Sequence, residues 1–183
     1  MADADIVFTD GACTQNGRAN ARASYAATGA VSVSGVVAPF EYALVDPAAP
    51  ELGFAPGTTP AAPSNNRGEL LGIAHALLGL LRLSIAAAPL TGCEIISDSR
   101  ISIMTLLEWL PARRAAGTAH KLRNLDLLTI AETLLAALRA LRPVTLTHVH
   151  SHRRAPPADA PARDHLIWAG NAAADTAATS ALL

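Results

Sequence analysis

The chain has 183 residues, 51% hydrophobic and 4% aromatic, so one domain with a core of mainly Ala, Leu, Ile and Val is expected. A net charge of −1 excludes the global basic field that draws nucleic acids, although 13 of the 14 basic residues are Arg. Two cysteines exclude a disulfide framework, and the absence of a transmembrane-length apolar run or a signal-like N-terminus predicts a soluble intracellular protein.

The first third of the sequence predicts three strands and then a long loop. Residues 5–13 are β-branched and apolar and end near a Gly, which is typical of a buried strand. Residues 24–35 alternate small and apolar side chains, and residues 36–45 are read as a third strand antiparallel to them. Three successive strands indicate an antiparallel meander. The Pro-, Ala- and Gly-rich segment 46–63 predicts an irregular loop.

The middle of the sequence predicts a helix, a strand and a second helix. Residues 65–85 carry apolar side chains at helical spacing, and residues 93–97 form a short buried strand. The next helix is capped by Asp98 or Ser99 and is expected to end at Pro111.

The last third predicts a helix, a strand and a helix. Residues 122–141 are strongly amphipathic, residues 144–150 form a strand, and residues 166–183 form a final helix. A second Pro-rich loop is expected at 153–164. The order is β-β-β-α-β-α-α-β-α, so the predicted fold class is α/β, with a five-stranded mixed sheet and helices on both faces.

Four carboxylates lie at or near element boundaries: Asp10, Glu69, Asp98 and Asp175. Strand ends and helix starts at one edge of such a sheet converge on a crevice. Four carboxylates there repel one another unless cations bind, and oxygen ligands suit Mg²⁺. Two ions about 3.5–4 Å apart would clamp the attacking water and the leaving oxygen of a phosphodiester. Taken singly, each acid is also explained by a turn, a helix cap or a favourable helix dipole.

Five short segments occur in a characteristic order: "TDGAC", "NNRGEL", "SDSR", "HVHSH" and "GNAAAD". In this order the sequence resembles the type 1 ribonuclease H family, which cuts RNA in RNA–DNA hybrids. The resemblance spans about residues 5–180. It implies the ribonuclease H-like fold and a single catalytic domain over residues 1–183, without a separate hybrid-binding module. The implied partner is an RNA–DNA hybrid duplex, and a monomer is expected.

The resemblance also implies an active site. The four carboxylates match the family's ligands for two Mg²⁺ ions, for which Mn²⁺ is an alternative. His152 matches a histidine that assists proton transfer or product release, although His148 and His150 lie close by and remain alternatives. His75 and His120 are read as ordinary helix or loop residues. The implied products carry a 5′-phosphate and a 3′-hydroxyl.

Two further sets of residues are implied to bind the two strands of the hybrid. The RNA strand would be read through its 2′-hydroxyls by Cys13, Thr14, Asn16, Asn65 and Asn66. The DNA strand would be bound by Ser64, Trp109, Arg113, Arg114 and Asn124. The segment before Ser64 lacks the Arg that the family often has there. Trp109 is equally compatible with helix packing, and the sequence around Ser64 also fits a helix cap.

Three alternatives remain open. The chain is also compatible with a non-catalytic interaction domain of the same fold, with a nuclease of this fold that acts on DNA, and with a ribonuclease H domain derived from a reverse transcriptase. The intact set of four carboxylates and His152 argues against the first, and the residues that suit 2′-hydroxyls argue against the second.

Overall fold

A computed structural model describes residues 5–33, 36–45, 52, 62–86 and 91–183. It contains the five expected strands, which are β1 (Asp5–Thr14), β2 (Arg22–Val33), β3 (Val36–Val45), β4 (Cys93–Ser97) and β5 (Val144–His148). Strand β2 begins two residues before its predicted start, and β5 ends two residues before its predicted end. Most of the predicted loop 46–63 lies outside the described residues.

The strands form one mixed sheet in the order β3-β2-β1-β4-β5. Strands β1, β2 and β3 pair antiparallel, as the meander predicts. Strands β1, β4 and β5 pair parallel, so their carboxyl ends lie at the same edge. Strand β1 is therefore central, and it continues beyond the end of β4. The predicted α/β fold class with a mixed sheet is confirmed.

Five α-helices occur in the described residues: α1 (Asn65–Ala86), α2 (Arg100–Met104), α3 (Leu110–Ala115), α4 (Leu125–Arg139) and α5 (Ala162–Ser180). A short 3₁₀ segment precedes α4. Ser64 caps α1, because its hydroxyl accepts from the Arg67 backbone N–H at 3.2 Å. Glu69 therefore lies in the second turn of α1, not in the first as expected. Ser99, not Asp98, caps α2.

The prediction that Pro111 ends a helix is wrong. A π-helical turn, Thr105–Trp109, joins α2 to α3, and the backbone N–H of Leu110 donates to the Thr105 carbonyl. Proline lacks an N–H and clashes with the preceding turn of a regular α-helix. The wider π turn accommodates both effects, so the helical path continues beyond Pro111 to Ala115.

The final helix begins earlier than predicted. Helix α5 starts at Ala162, directly after Pro161, because proline fits at the N-terminal end of a helix. The irregular segment predicted at 153–164 therefore ends at Pro161, three residues earlier than expected.

The two faces of the sheet are covered differently. Helices α1 and α4 cover one face with a core that includes Val7, Leu77 and Leu128. Helix α5 covers the other face on a small core of Phe8, Ile96 and Ala174. Helices on both faces agree with the prediction.

Helix α1 is apolar because it is packed inside the fold. By length and hydropathy alone it meets the criterion for a membrane span, which corrects the expectation that no apolar run is long enough. However, residues 67–77 of this helix are all buried against its neighbours. His75 stacks on Tyr25 and shares a hydrogen bond with its hydroxyl at 2.9 Å. His75 is thus a helix residue of the core, as expected, and His120 is exposed on the 3₁₀ segment.

Candidate active site

Three carboxylates from distant parts of the chain meet at the carboxyl edge of the central strands. Asp10 lies in the middle of β1, one residue beyond its last pair with β4. Glu69 lies in α1, and Asp98 directly follows β4. One potential ligand oxygen from each lies within 4.8 Å of those of the other two. The fourth predicted acid, Asp175 on α5, lines the same cavity of about 540 Å³, which we call the acid cavity. The structure therefore brings all four predicted acids to one cavity.

Strand pairing places Asp10 next to Asp98. In the parallel ladder between β1 and β4, Thr9 is paired with Ser97, so the next residue of each strand is one of these two acids. Asp10 continues in β1, paired with Ala26 of β2, whereas Asp98 leaves the sheet beside it. The register of the central strands thus determines this part of the site.

Two glycines allow α1 to bring Glu69 to Asp10. A Cβ at Gly11 would lie 2.2 Å from the backbone nitrogen of Glu69, and one at Gly68 would lie 2.5 Å from the carbonyl oxygen of Ser24. Any side chain at either position would push α1 away from the sheet. The backbones touch only because both residues lack a Cβ.

Helix α5 completes the cavity from the opposite face. Ala174 packs on Phe8 and Ile96, and this contact holds the neighbouring Asp175 at the cavity. One turn earlier, the side chain of Asn171 hydrogen-bonds the Asp98 carboxylate and lowers its pKa. Since the bond favours the charged acid, the Asn171 amide is the donor. The sequence did not predict this contact.

Burial and mutual repulsion disfavour the ionised forms of Asp10, Glu69 and Asp98. Burial, together with the charges of Asp98 and Asp175, raises the pKa of Asp10 to about 7 from an ordinary value of 3.8. Burial and the charges of Asp10 and Asp98 raise the pKa of Glu69 to about 10 from 4.5. Burial also raises the pKa of Asp98, against the opposing effects of Asn171 and His152. A bound cation would favour the ionised forms of these acids.

The donor set fits a hard divalent cation. All the converging ligands are carboxylate oxygens, which Mg²⁺ and Mn²⁺ prefer. In addition, the buried Oε2 atom of Glu69 accepts no hydrogen bond from the described residues. A buried acceptor without a donor is costly, and a cation would satisfy it.

The three neighbouring histidines occupy different positions. His152 follows β5 on an exposed loop with φ of 50° and lines the acid cavity. His148 and His150 contact each other edge to face, with ring centroids 5.2 Å apart, and neither lines the acid cavity. His152 is therefore the one of the three that lines the cavity shared by all four carboxylates.

Only two of the five residues predicted to read the RNA strand line the acid cavity. Cys13 and Asn65 line it. The Asn16 side chain accepts from the backbone N–H of Asn65 at 3.4 Å, which ties the turn after β1 to the start of α1. Thr14 and Asn66 are exposed and lie outside the cavity lining. All five are placed near the β1 end and the α1 start.

The residues predicted to bind the DNA strand are spread over three places. Ser64 caps α1, and Asn124 occupies the N-cap position of α4 with a left-handed φ of 55° and no capping side-chain hydrogen bond. Trp109 is 45% exposed. Arg113 and Arg114 lie exposed on α3, where Arg114 pairs with Glu132 at 2.8 Å. None of these residues lines the acid cavity.

A buried ion pair that the sequence did not predict joins two of those places. The fully buried guanidinium of Arg67, three residues after Ser64, contacts the Asp126 carboxylate at 2.9 Å. Asp126 lies two residues after Asn124. The pair therefore holds the N-terminal ends of α1 and α4 together. A charged residue directly before the apolar part of α1, in "NNRGELL", is the signal that was available in the sequence.

A second cavity of about 660 Å³ adjoins the first. It lies between α5 and the segment 149–161, and we call it the loop cavity. Asp98, His152 and Asp175 line both cavities. The sequence predicted the loop but not the space beneath it.

Comparison with known protein families identifies one match. The family model for RNase H matches residues 2–182. The RNase H domain of prototype foamy virus is similar in structure, with a TM-score of 0.63 and 15% identity over 97% of this chain and 93% of that domain. RNase H1 from Halobacterium salinarum NRC-1 has a TM-score of 0.56 and 18% identity, with 98% of both chains covered.

A larger viral protein shares the same fold in part. The foamy viral protease-reverse transcriptase in complex with RNA/DNA hybrid has a TM-score of 0.62 and 14% identity over 97% of this chain and 20% of that chain. The search of curated protein sequences gave no match.

Proposed function

Because the chain belongs to the RNase H family, we propose that it hydrolyses the RNA strand of RNA–DNA hybrids with two divalent cations. The products would carry a 5′-phosphate and a 3′-hydroxyl. We further propose that residues 1–183 act as a single catalytic domain, as a monomer inside the cell.

The convergence of carboxylates carries this proposal. Asp10, Glu69 and Asp98 come from β1, α1 and β4, and yet their oxygens lie within 4.8 Å of one another. Such a cluster costs stability in the absence of cations, because burial and repulsion both oppose ionisation. A purely structural role gives no reason to gather them.

Asp10, Glu69, Asp98 and Asp175 would hold the cations. Bound divalent cations supply a nucleophile at neutral pH and stabilise the charge on the departing oxygen. Asp10 is central on the sheet and is the best placed to serve both ions. The hydrogen bond from Asn171 holds the Asp98 carboxylate in a fixed orientation.

His152 would move a proton at the edge of the site. It lines the acid cavity and is exposed to solvent, so its ring can exchange protons with water. An imidazole ring can both accept and donate a proton, which suits proton transfer to a leaving oxygen.

The residues around the cavity would select the strand to be cut. Small polar groups at Cys13, Thr14, Asn16, Asn65 and Asn66 suit a 2′-hydroxyl, which both donates and accepts. The DNA strand would contact Ser64 and Asn124, whose helix ends the Arg67–Asp126 pair holds together. Trp109, Arg113 and Arg114 would extend this contact.

A cleavage assay tests the proposal. The chain is incubated with a hybrid whose RNA strand is labelled at its 5′ end, with Mg²⁺, with Mn²⁺ or with a chelator. We expect cleavage of the RNA strand with either cation and none with the chelator. Duplexes of RNA alone and of DNA alone are the controls. Cleavage of the DNA duplex, or cleavage of the hybrid with the chelator, would contradict the proposal.

A second candidate is the same chemistry within a reverse transcriptase. The similarity in fold to the prototype foamy virus RNase H domain favours it. The two candidates differ in whether this chain cleaves hybrids by itself. Full activity of the chain alone supports the first, whereas activity that requires an added polymerase domain supports the second.

A further inference from the structure

The loop cavity has no role in the proposed hydrolysis, although it shares Asp98, His152 and Asp175 with the acid cavity. Its volume of about 660 Å³ is in the range of small-molecule sites. One wall is the segment 149–161, and the other is the face of α5 that carries Ile167, Trp168 and Asn171. It is therefore a second compartment beside the carboxylates.

The walls of this cavity are held in place by specific bonds. The indole N–H of Trp168 donates to the Arg153 carbonyl at 3.1 Å, which ties the loop to α5. At the start of α5, Arg163 binds both carboxylate oxygens of Glu94 at 2.8 and 2.9 Å. Thr147 on β5 donates to the same carboxylate at 2.6 Å. Pro156, Pro157 and Pro161 further restrict the segment. The cavity is thus preformed.

One end of the cavity suits a planar ring. Trp168 is 39% exposed and lines the cavity together with Ile167 and Val149. An exposed indole beside aliphatic side chains offers a stacking surface for a nucleobase of any sequence. Apolar walls with a few convergent polar groups are typical of ligand sites.

The inner end of the cavity has an acceptor without a donor. Asn171 is nine-tenths buried and lines the cavity. Its amide nitrogen bonds the Asp98 carboxylate, whereas its Oδ1 accepts no hydrogen bond from the described residues. A ligand hydroxyl at this point would satisfy it.

The charges around the cavity decide where an anion would sit. At the mouth, Arg153 and Arg154 are offset by Asp159 and Asp164. At the inner end lie Asp98 and Asp175, which repel an anion unless cations are bound between them. A phosphate therefore binds at the inner end only when cations are present.

We propose that the loop cavity binds a ribonucleoside 5′-monophosphate, with its base on Trp168, its ribose 2′-hydroxyl on Asn171 Oδ1 and its phosphate towards the carboxylates. The ligand is either a free nucleotide or the 5′-terminal nucleotide of a cut RNA. This inference rests on the proposed function, since a cut RNA carries that phosphate and the cations neutralise the inner end.

Tryptophan fluorescence tests the proposal directly, because the chain has two tryptophans. Trp109→Phe leaves Trp168 as the reporter inside the cavity. Trp168→Phe leaves Trp109, which lines neither cavity, as the matched control. Adenosine 5′-monophosphate is titrated into each variant with Mg²⁺. We expect saturable quenching of Trp168 and none of Trp109. Equal quenching of both, or none of either, overturns the proposal.

A deoxynucleotide and a nucleoside test the ribose and phosphate contacts separately. Deoxyadenosine 5′-monophosphate should bind about tenfold more weakly than the ribonucleotide, since it lacks one hydrogen bond. Equal affinity of the two nucleotides overturns the ribose assignment. Adenosine should quench Trp168 with or without Mg²⁺, whereas the monophosphate should gain at least about tenfold in affinity from Mg²⁺.

The outcomes also separate this inference from the proposed function. Quenching by adenosine without any effect of Mg²⁺ on the monophosphate would contradict the cation site. Hybrid cleavage without any quenching would contradict the loop cavity alone. A 5′-phosphorylated tetraribonucleotide distinguishes the two sources: tighter binding than the mononucleotide indicates a chain end, and weaker binding indicates a free nucleotide.

Discussion

The α1 face of the sheet has a continuous core of mainly aliphatic side chains, whereas the α5 face has a core of three buried residues, Phe8, Ile96 and Ala174. The α5 face instead carries Asn171, Asp175 and the loop cavity. Most of the burial that stabilises the fold therefore lies on the first face. The second face has room for polar groups and space that a dense core would exclude. The comparison predicts that substitutions on the two faces affect different quantities.

Asp10→Asn should have the largest effect on activity, which it should decrease. The same substitution should increase the stability of the metal-free protein. Loss of one ligand charge should reduce hybrid cleavage by about 1,000-fold, which corresponds to about 4 kcal/mol. In the metal-free protein the same change removes a buried, repelled carboxylate, so the midpoint of thermal unfolding should rise. Cleavage rates and thermal melts of the same preparation check both parts.

The control for this variant removes a charge elsewhere. Glu108 is exposed in the π turn, so Glu108→Gln should change neither quantity appreciably. An Asp10→Asn protein that cleaves hybrids at the wild-type rate with Mg²⁺ would contradict the assignment of the site.

Leu77→Ala should have the largest effect on stability. Leu77 is fully buried in the α1 core, and truncating such a leucine costs about 3 kcal/mol. Ile167→Ala on the α5 face is the comparison, and since Ile167 is half-buried it should cost about 1 kcal/mol. Urea unfolding gives both values. Equal losses would contradict the difference between the faces.

His152→Ala should reduce kcat by roughly 100-fold with little change in stability, because His152 is exposed and lines the acid cavity. His148→Ala and His150→Ala are the matched controls, since neither residue lines that cavity. Steady-state kinetics on a hybrid separate kcat from KM. A larger loss in either control than in His152→Ala would transfer the assisting role to that histidine.

The sequence predicted the elements that local pattern determines. Strands β1 and β4 follow from short apolar runs that end at Asp10 and Asp98, and α1 follows from its helical spacing. The gathering of the acids was predicted through the order of the five segments. The continuation of the helix beyond Pro111 was not predicted, because the π turn depends on how the surrounding helix packs.

Contacts between distant segments could not be predicted from the sequence. The approach of Glu69 to Asp10 depends on two glycines meeting across elements, and nothing local marks Gly11 and Gly68 as partners. The hydrogen bond of Asn171 to Asp98 and the loop cavity likewise arise only when α5 is docked. Such features depend on tertiary packing and not on periodicity.

The pH dependence of stability gives the smallest expected effect and isolates the acid cavity. The folded-state pKa of Asp10 is about 7, against 3.8 ordinarily, so between these values the folded state holds a proton that the unfolded state has released. The resulting stability is fully present below about pH 4 and is lost as the pH rises through 7. Glu69, with a pKa of about 10 against 4.5, extends the loss to higher pH.

The midpoint temperature of thermal unfolding of the metal-free protein should therefore decrease as the pH is raised from 6 to 8. Mg²⁺ binds the ionised carboxylates, so the increase in that midpoint on adding millimolar Mg²⁺ should be larger at pH 8 than at pH 6. Asp10→Asn should reduce both the pH dependence and the effect of Mg²⁺, whereas Leu77→Ala should lower the midpoint equally at both pH values. The acid cavity would lose its assigned role if Mg²⁺ stabilised the wild type and Asp10→Asn equally, since the stabilising ions would then bind elsewhere.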